Sequence, residues 1–566
     1  QEKVLEVFTR TLPGDHPDLQ WVRGNLALTI AAESARFPIE REGGRASTRE
    51  TGKERCVELV LALCRAQTRA VREVLLSSPS REAEERCARL AEKLDISLSF
   101  AGGFGVFEPS RELEPAAFVL SESARGAAIV SAGLARKAPR APRYGELREA
   151  LVRASDELAA QAQKGTTSEA FDAARVRHET AERELIALAH ELWGGKPGGV
   201  DLEVSTLAAL LGAHAAAVSF RRFRAWQIEV AQDSEAGGNP VPRLVSTQRM
   251  CAFVVRGGPA SAASQDPPEG LALVDLGPIE PIERAVESWR EAIGVGRERG
   301  VASQASGPDL VRTCGEELRA LIFDPLVAAL GDARRLTVVL DDVLHLVPLG
   351  ALPLGNSEAL VGDRWMIETR ATLGELLSSE TAPRGDALLA LGGASFNVEP
   401  VGLSETDVAS IEAQRPTEVA TLLRGGAWER GFEPLTHSGD EARGIGALYT
   451  EIFEEERPSL VLEKRKASRA ALAELAPKAR FLHIATHGWY ASESIRSWSD
   501  PKPLDEKSGL GLRMAGEEQV RGMRPMLLCG LALAGANLPE NAVGRAPGLV
   551  TAEELAALDL SNCELA

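Results

Sequence analysis

Imidazole titrates near neutral pH, so a histidine that a buried strand delivers to a cleft can act as general base or acid. His487 has that position: in FLHIATHGWY (Phe481 to Tyr490) an apolar, strand-like run ends in histidine followed at once by glycine. Gly488 has no side chain, which lets a substrate backbone approach and leaves an amide N–H able to point at a developing oxyanion. His483, four residues earlier, falls on the same face as His487 by a period of two and reads as a packed core histidine. Taken alone, the Thr-His-Gly triplet favours packing over catalysis.

A histidine base needs a nucleophile. The seven cysteines (Cys56, Cys64, Cys87, Cys251, Cys314, Cys529 and Cys563) are scattered and form no CxxC pair. A disulfide framework or a zinc site is therefore disfavoured, no metal or organic cofactor is implied, and a reducing, cytoplasmic compartment fits best. Cys529 lies 42 residues after His487 (529 − 487), near the roughly 50-residue spacing of caspases. Its apolar neighbours in LLCGLALAGAN would, however, raise a thiol pKa. In HSGD (His437 to Asp440) the residues are too close in sequence for a triad, and Ser438 to Asp440 read as a helix cap.

These residues must be held by elements that the patterning outlines. From the start to about Trp193 apolar residues recur at helical spacing, as in CVELVLALCRAQTRAVREVLL and EAFDAARVRHETAERELIALAHELW. Thr9 to Ala32 reads as a helix end, a Pro-Gly-Asp-His-Pro turn and a new helix bearing Leu19, Leu26, Leu28 and Ile30. After the glycine-rich break Gly194 to Asp201 the grammar changes to short apolar strands alternating with helices. Strand candidates are AAAVSFRRF, RMCAFVVRG, GLALVDLG, RLTVVLDD, ALLALGGASF and ARFLHIATHG, with IERAVESWREAIG and DLVRTCGEELRALIFDPLVAAL as helices between them. This order argues for an α/β sandwich with a largely buried sheet. GGPASAASQDPPEG reads as an exposed hairpin connection, and a second seam lies near Ser378 to Ala387.

At 566 residues the chain is too long for one core. Its 82 acidic and 64 basic side chains, net −18, disfavour general nucleic-acid binding, so any such contact is indirect. No window approaches the roughly 20 apolar residues of a membrane helix. The opening QEKVLEVF carries no targeting signal and suggests a piece of a longer chain.

Five blocks occur in order: LTVVLDDVLHLVPLGALPL, GDEARGIGALYTEIF, ARFLHIATHGWY, MLLCGLALAGANLP and GLVTAEELAALDLSNCELA. Together they resemble the CHAT family, caspase-like domains related to separase and found with tetratricopeptide repeats; Thr9 to Ala32, with small Gly24 and Ala27, resembles one such repeat. The resemblance implies three regions: a repeat-like region over 1–195, a degenerate caspase-like subdomain over 204–380, and a catalytic one over 385–566. The implied fold is a caspase-like α/β sandwich of two subdomains preceded by an all-α repeat domain. The implied activity is that of a regulated cysteine endopeptidase with a Cys/His dyad, His487 being the catalytic histidine and the Gly488 amide part of the oxyanion site. In the family the nucleophile follows the block resembling TAEELAALDL, which places the cysteine about five residues beyond Ala566. Cys563, after the capping box of Thr551 and Glu554, then reads as its structural neighbour. Asp341 and Asp342 could line a pocket for a basic substrate side chain, although a turn and helix-start role is preferred, and His345 reads as packing. The implied partners are a protein substrate, a regulatory protein or complex on the repeat region, and a C-terminal fragment completing the protease domain. Bacterial defence is the implied setting, where family members are coupled to RNA-guided effectors or cleave gasdermins. The alternative is an inactive CHAT scaffold.

Overall fold

Nine helices precede the first strand among the residues described in the computed structural model, eight of them from the helical spacing of the first two hundred residues: α1 (Glu2–Thr11), α2 (Pro17–Ala35), α3 (Ala46–Ser77), α4 (Ser80–Arg89), α5 (Ala91–Ala101), α6 (Glu114–Ala124), α7 (Tyr144–Ala162), α8 (Glu169–Leu192) and α9 (Val204–Leu211). The structure describes residues 1–14, 16–35, 46–89, 91–103, 109–125, 143–164, 168–192, 202–231, 241–258, 270–293, 307–355, 358–377, 385–403, 420–423, 428–453, 457–491, 523–541, 545–560 and 562–565. The helix, turn and helix read from Thr9 to Ala32 are α1 and α2. Proline opens α2 at its first position, where its missing N–H costs nothing. The glycine-rich break Gly194 to Asp201 lies outside the described residues.

Two compact units divide the chain. One comprises Gln1–Leu76, Glu82–Val130 and Lys196–Ser379; the other comprises Ser77–Arg81, Ser131–Gly195 and Glu380–Ala566. The helical stretch is therefore shared out, with α1, α2, α5, α6 and α9 in the first unit and α7 and α8 in the second. The later division, between Ser379 and Glu380, falls within the seam Ser378 to Ala387.

In the first unit a five-stranded sheet has the order β3-β2-β1-β4-β5, formed by β1 (Ala215–Ala231), β2 (Val241–Arg256), β3 (Leu271–Pro278), β4 (Arg335–Val339) and β5 (Met366–Arg370). β2 is antiparallel to both β1 and β3, whereas β1, β4 and β5 run parallel. Strand alternation gives the sheet two buried faces. Ala217, Phe223, Phe253 and Val255 face the helices α2, α3, α5, α6 and α9. Val218, Phe220, Ala252 and Val254 face α10 (Ile279–Ala292) and α11 (Pro308–Ile322). Gly24 lets α2 lie close to α5, since a β-carbon there would stand 3.1 Å from Ile96 Cδ1.

The second unit holds a parallel trio, β7-β6-β8, and an antiparallel trio, β11-β10-β9. Its strands are β6 (Ala387–Ala394), β7 (Ser459–Lys464), β8 (Ala479–Ile484), β9 (His487–Tyr490), β10 (Cys529–Ala532) and β11 (Leu549–Thr551). α12 (Ser438–Phe453) covers one face of β6, with Ala442 and Tyr449 against Leu388 and Ala390. The other face meets α13 (Arg469–Leu475) through Ala471 and Leu472. The capping box of Thr551 and Glu554 forms as read and opens the short α14 (Ala552–Ala557). The hairpin of α7 and α8 packs into this unit, Leu158 and Phe171 meeting Met523 and Leu527. No helix among the described residues is long and apolar enough to cross a membrane.

Candidate active site

His487 opens β9, and the way it gets there corrects the period-two reading of its strand. β8 ends at Ile484 and β9 begins at His487, and the break at Ala485 and Thr486 resets the alternation. His483 faces α12, where its Nε2 lies 3.1 Å from Glu441 Oε1 and its side chain is 29% exposed. It is a partly exposed neighbour of a carboxylate and not a core histidine. His487 turns to the opposite side and is buried at 7% exposure.

Three aromatic rings surround the His487 imidazole: Phe396 and Trp428 at 5.4 Å and Phe432 at 5.7 Å between centroids. The Nε2 atom lies 2.7 Å from the backbone oxygen of Glu433. A carbonyl oxygen only accepts, so Nε2 carries the proton and donates it. In the neutral ring Nδ1 is then the atom with the lone pair, which is the state a general base requires. Thr486 steadies the approach, its hydroxyl donating to Ala532 O at 2.5 Å.

Gly488 is solvent-exposed and sits opposite Leu531 in the β9–β10 ladder. Ala491 N donates to Leu528 O at 2.7 Å. Hydrogen-bonded pairs alternate along an antiparallel ladder, so Gly488 and Leu531 form a pair without mutual bonds and the Gly488 N–H turns away from β10. Among the described residues β9 is an edge of its sheet. A β-carbon on Gly488 would come no closer than 3.8 Å to its nearest neighbour, Gly530 O. Packing within the fold thus does not require glycine there.

The cysteines stand elsewhere. Cys529 pairs with Tyr490, whereas His487 pairs with Ala532 three residues further on. Three residues along a strand place Cys529 on the opposite face and about 10 Å away. Burial raises its thiol pKa. Cys563 lies two residues before Leu565, which bridges Phe481 in parallel at the far end of β8. Its pKa is also raised, chiefly by burial.

In the first unit, Asp341 and Asp342 follow β4 and open a short 3-10 helix, Asp342–Leu346, so the turn and helix-start reading describes them. Their carboxylates are taken by the protein's own arginines: Asp341 accepts from Arg222 N at 2.7 Å and lies 3.5 Å from Arg125, and Asp342 pairs with the Arg222 side chain. His345 is exposed instead of packed, because three residues per turn send Leu344 inward and His345 outward. Of the HSGD set, Ser438 binds the end of β6, accepting from Gly393 N at 3.0 Å, and donates to Leu435 O at 3.0 Å just before α12.

One residue that sequence reading passed over belongs to the site. Asn537, inside the quoted block MLLCGLALAGANLP, is 2% exposed and bonds both backbone groups of Phe432. Its signal was a polar residue closing an apolar block, which asks for buried partners.

Residues 312–566 match the family model of the CHAT domain. No curated protein matches the chain.

Proposed function

Residues 312–566 being a CHAT domain, of a caspase-like family related to cysteine peptidases, we propose that the protein is a cysteine endopeptidase in which His487 is the general base. The observation that carries this reading is the Nε2–H bond to Glu433 O, which leaves Nδ1 as the acceptor of a thiol proton. The end of the described chain supports the position of the nucleophile. Phe481 and Leu565 are bridged in parallel, with Leu482 N donating to Leu565 O at 2.9 Å and Glu564 N to Arg480 O at 2.7 Å. His487 lies six residues beyond Phe481 (487 − 481). A strand continuing beside β8 in that direction runs toward the His487 end of the sheet, the side on which the family pattern puts its cysteine.

In the proposed reaction Nδ1 takes the thiol proton and the thiolate adds to the scissile carbonyl. The Gly488 N–H stabilises the oxyanion, and the imidazolium gives the proton to the leaving amine. Water then hydrolyses the thioester with His487 again as base. The substrate class is protein, in the cytoplasm, and a regulatory protein or complex engages the helices of a repeat-like region. The contacts that would carry such a signal lie in the second unit: Arg148 of α7 to Asp559 at 2.6 Å and Asp156 of α7 to Arg469 at 2.5 Å.

The test is an acyloxymethyl ketone probe on the chain extended past Ala566, with the labelled peptide located by mass spectrometry and a peptide library scored for cleavage. A label on a cysteine just past Leu565, lost together with cleavage in His487→Ala, is expected. A label on Cys529 or Cys563, or cleavage unchanged by His487→Ala, overturns the reading. No cleavage and no label leaves the domain as a scaffold.

A further inference from the structure

Asn537 follows β10 by five residues (537 − 532) and its carboxamide is fully engaged. Oδ1 accepts from Phe432 N at 2.7 Å, while Nδ2 donates to Phe432 O at 2.9 Å and to Asn397 Oδ1 at 2.7 Å. Its own backbone N–H donates to Phe396 O at 2.9 Å. Phe396 and Phe432 are two of the three rings around His487, and the residue after Phe432 is Glu433, whose oxygen holds the histidine. One residue therefore fixes the backbone beneath two walls of the imidazole box and the acceptor that sets its tautomer.

The loop is shaped to this side chain. Gly431 adopts φ +78°, and a β-carbon there would stand 2.7 Å from Asn537 Oδ1. Bonding both the N–H and the C=O of one residue needs an acceptor and a donor on one planar group of this reach. Aspartate matches the shape but has no donor for Phe432 O, and when ionised it repels that oxygen and Asn397 Oδ1. Glutamine is one methylene longer, and at a residue only 2% exposed the extra length overpacks the site.

We infer that Asn537 is a positioning residue for His487: through Phe432 it holds the Glu433 carbonyl against Nε2, and so keeps Nδ1 as the basic nitrogen. The inference rests on the reading of His487 as the general base, although its physical content, the tautomer, is independent of activity. A carboxamide that only stabilised the fold would alter melting and leave the imidazole unchanged.

The experiment is long-range proton–nitrogen NMR on the extended chain labelled with 15N-histidine, the His487 signals being assigned by their loss in His487→Gln. Wild type is expected to show the Nε2–H form. Asn537→Asp and Asn537→Ala are expected to lose that preference while their circular dichroism remains folded. In the same variants kcat for peptide cleavage falls roughly 100-fold with KM within about twofold, the cost of a small misplacement of a catalytic group. Ser459→Ala, which removes a hydroxyl contact to Gly446 O on α12, serves as control and leaves the tautomer intact. An Nδ1–H tautomer in wild type overturns the inference without any variant, and an unchanged tautomer in a folded Asn537 variant overturns it too. If cleavage depends on His487 but the tautomer ignores Asn537, only this inference fails. If no cleavage is found yet the tautomer follows Asn537, only the protease reading fails.

Discussion

Replacing His178 with alanine should loosen α8 from α14, and should do so more in acid than in alkali. His178 Nε2 lies 3.1 Å from Glu553 Oε1, with side chains 4% and 6% exposed, and Arg524 lies 3.0 Å from the other oxygen of Glu553. Burial by itself would lower the histidine pKa. The Glu553 carboxylate, aided by Glu182, outweighs that burial, and the net shift is upward. A folded-state pKa above the unfolded value, near 6.5, means the ion pair contributes fully below that value and fades as pH rises through the folded one. Removing one partner of a buried pair costs about 3–5 kcal/mol. Because Glu553 keeps Arg524, His178→Ala belongs at the lower end, about 3 kcal/mol, whereas Glu553→Ala takes the counter-charge from two cations and belongs at the upper end. The cavity left by the ring costs the same at every pH, so the pH dependence isolates the charge. The assay is urea unfolding at about pH 5.5 and about pH 9.5, combined with hydrogen exchange of peptides spanning α8 and α14. A His178→Ala penalty equal at both pH values, or below about 1 kcal/mol in acid, would refute the argument.

Four further outcomes are expected. Gly488→Ala should melt within about 0.5 kcal/mol of wild type, because its nearest neighbour would be 3.8 Å away, while cleavage by the extended chain is lost. Gly530→Ala should cost about 3 kcal/mol or more, because its β-carbon would meet Val550 O at 1.8 Å; calorimetry distinguishes the two glycines. In the first unit Arg125 donates to Leu340 O at 2.9 Å and lies 3.3 Å from Glu122. Its replacement by alanine should cost about 3–5 kcal/mol in urea melts, with partial recovery when Glu122→Gln is added. Finally, burial pushes the thiol of Cys56 up to about 12 and that of Cys64 to about 11. Among the seven cysteines, native iodoacetamide labelling followed by mass spectrometry should therefore find slow reaction at Cys529 and Cys563 alone. A fast thiol among the seven would overturn the exclusion of both as nucleophiles.

What the sequence revealed and what it hid follow from one distinction, between local pattern and distant pairing. β1, β2 and β4 were legible because both faces are buried and the apolar run is long enough to outweigh its neighbours. β5 and β7 escaped because they are short and only partly buried, the first reading Met-Ile-Glu-Thr-Arg with no fully buried residue. β10 and β11, of four and three residues, were quoted inside family blocks without being read as strands. His487 was found through the order of those blocks, yet the face it occupies was misassigned, because a two-residue break between strands is invisible to a period-two count. The groups that hold it are invisible for a stronger reason. Asn537 meets Asn397 and Phe432 across more than 100 residues, and Glu553 meets His178 across 375 (553 − 178). No window of sequence contains both members of such a pair. An amide inside an apolar block nevertheless carries a debt that sequence does show: buried, it must find its partners somewhere. The polar residues that look out of place in such a block are therefore where a domain of this kind should be searched for the groups that hold its buried histidine.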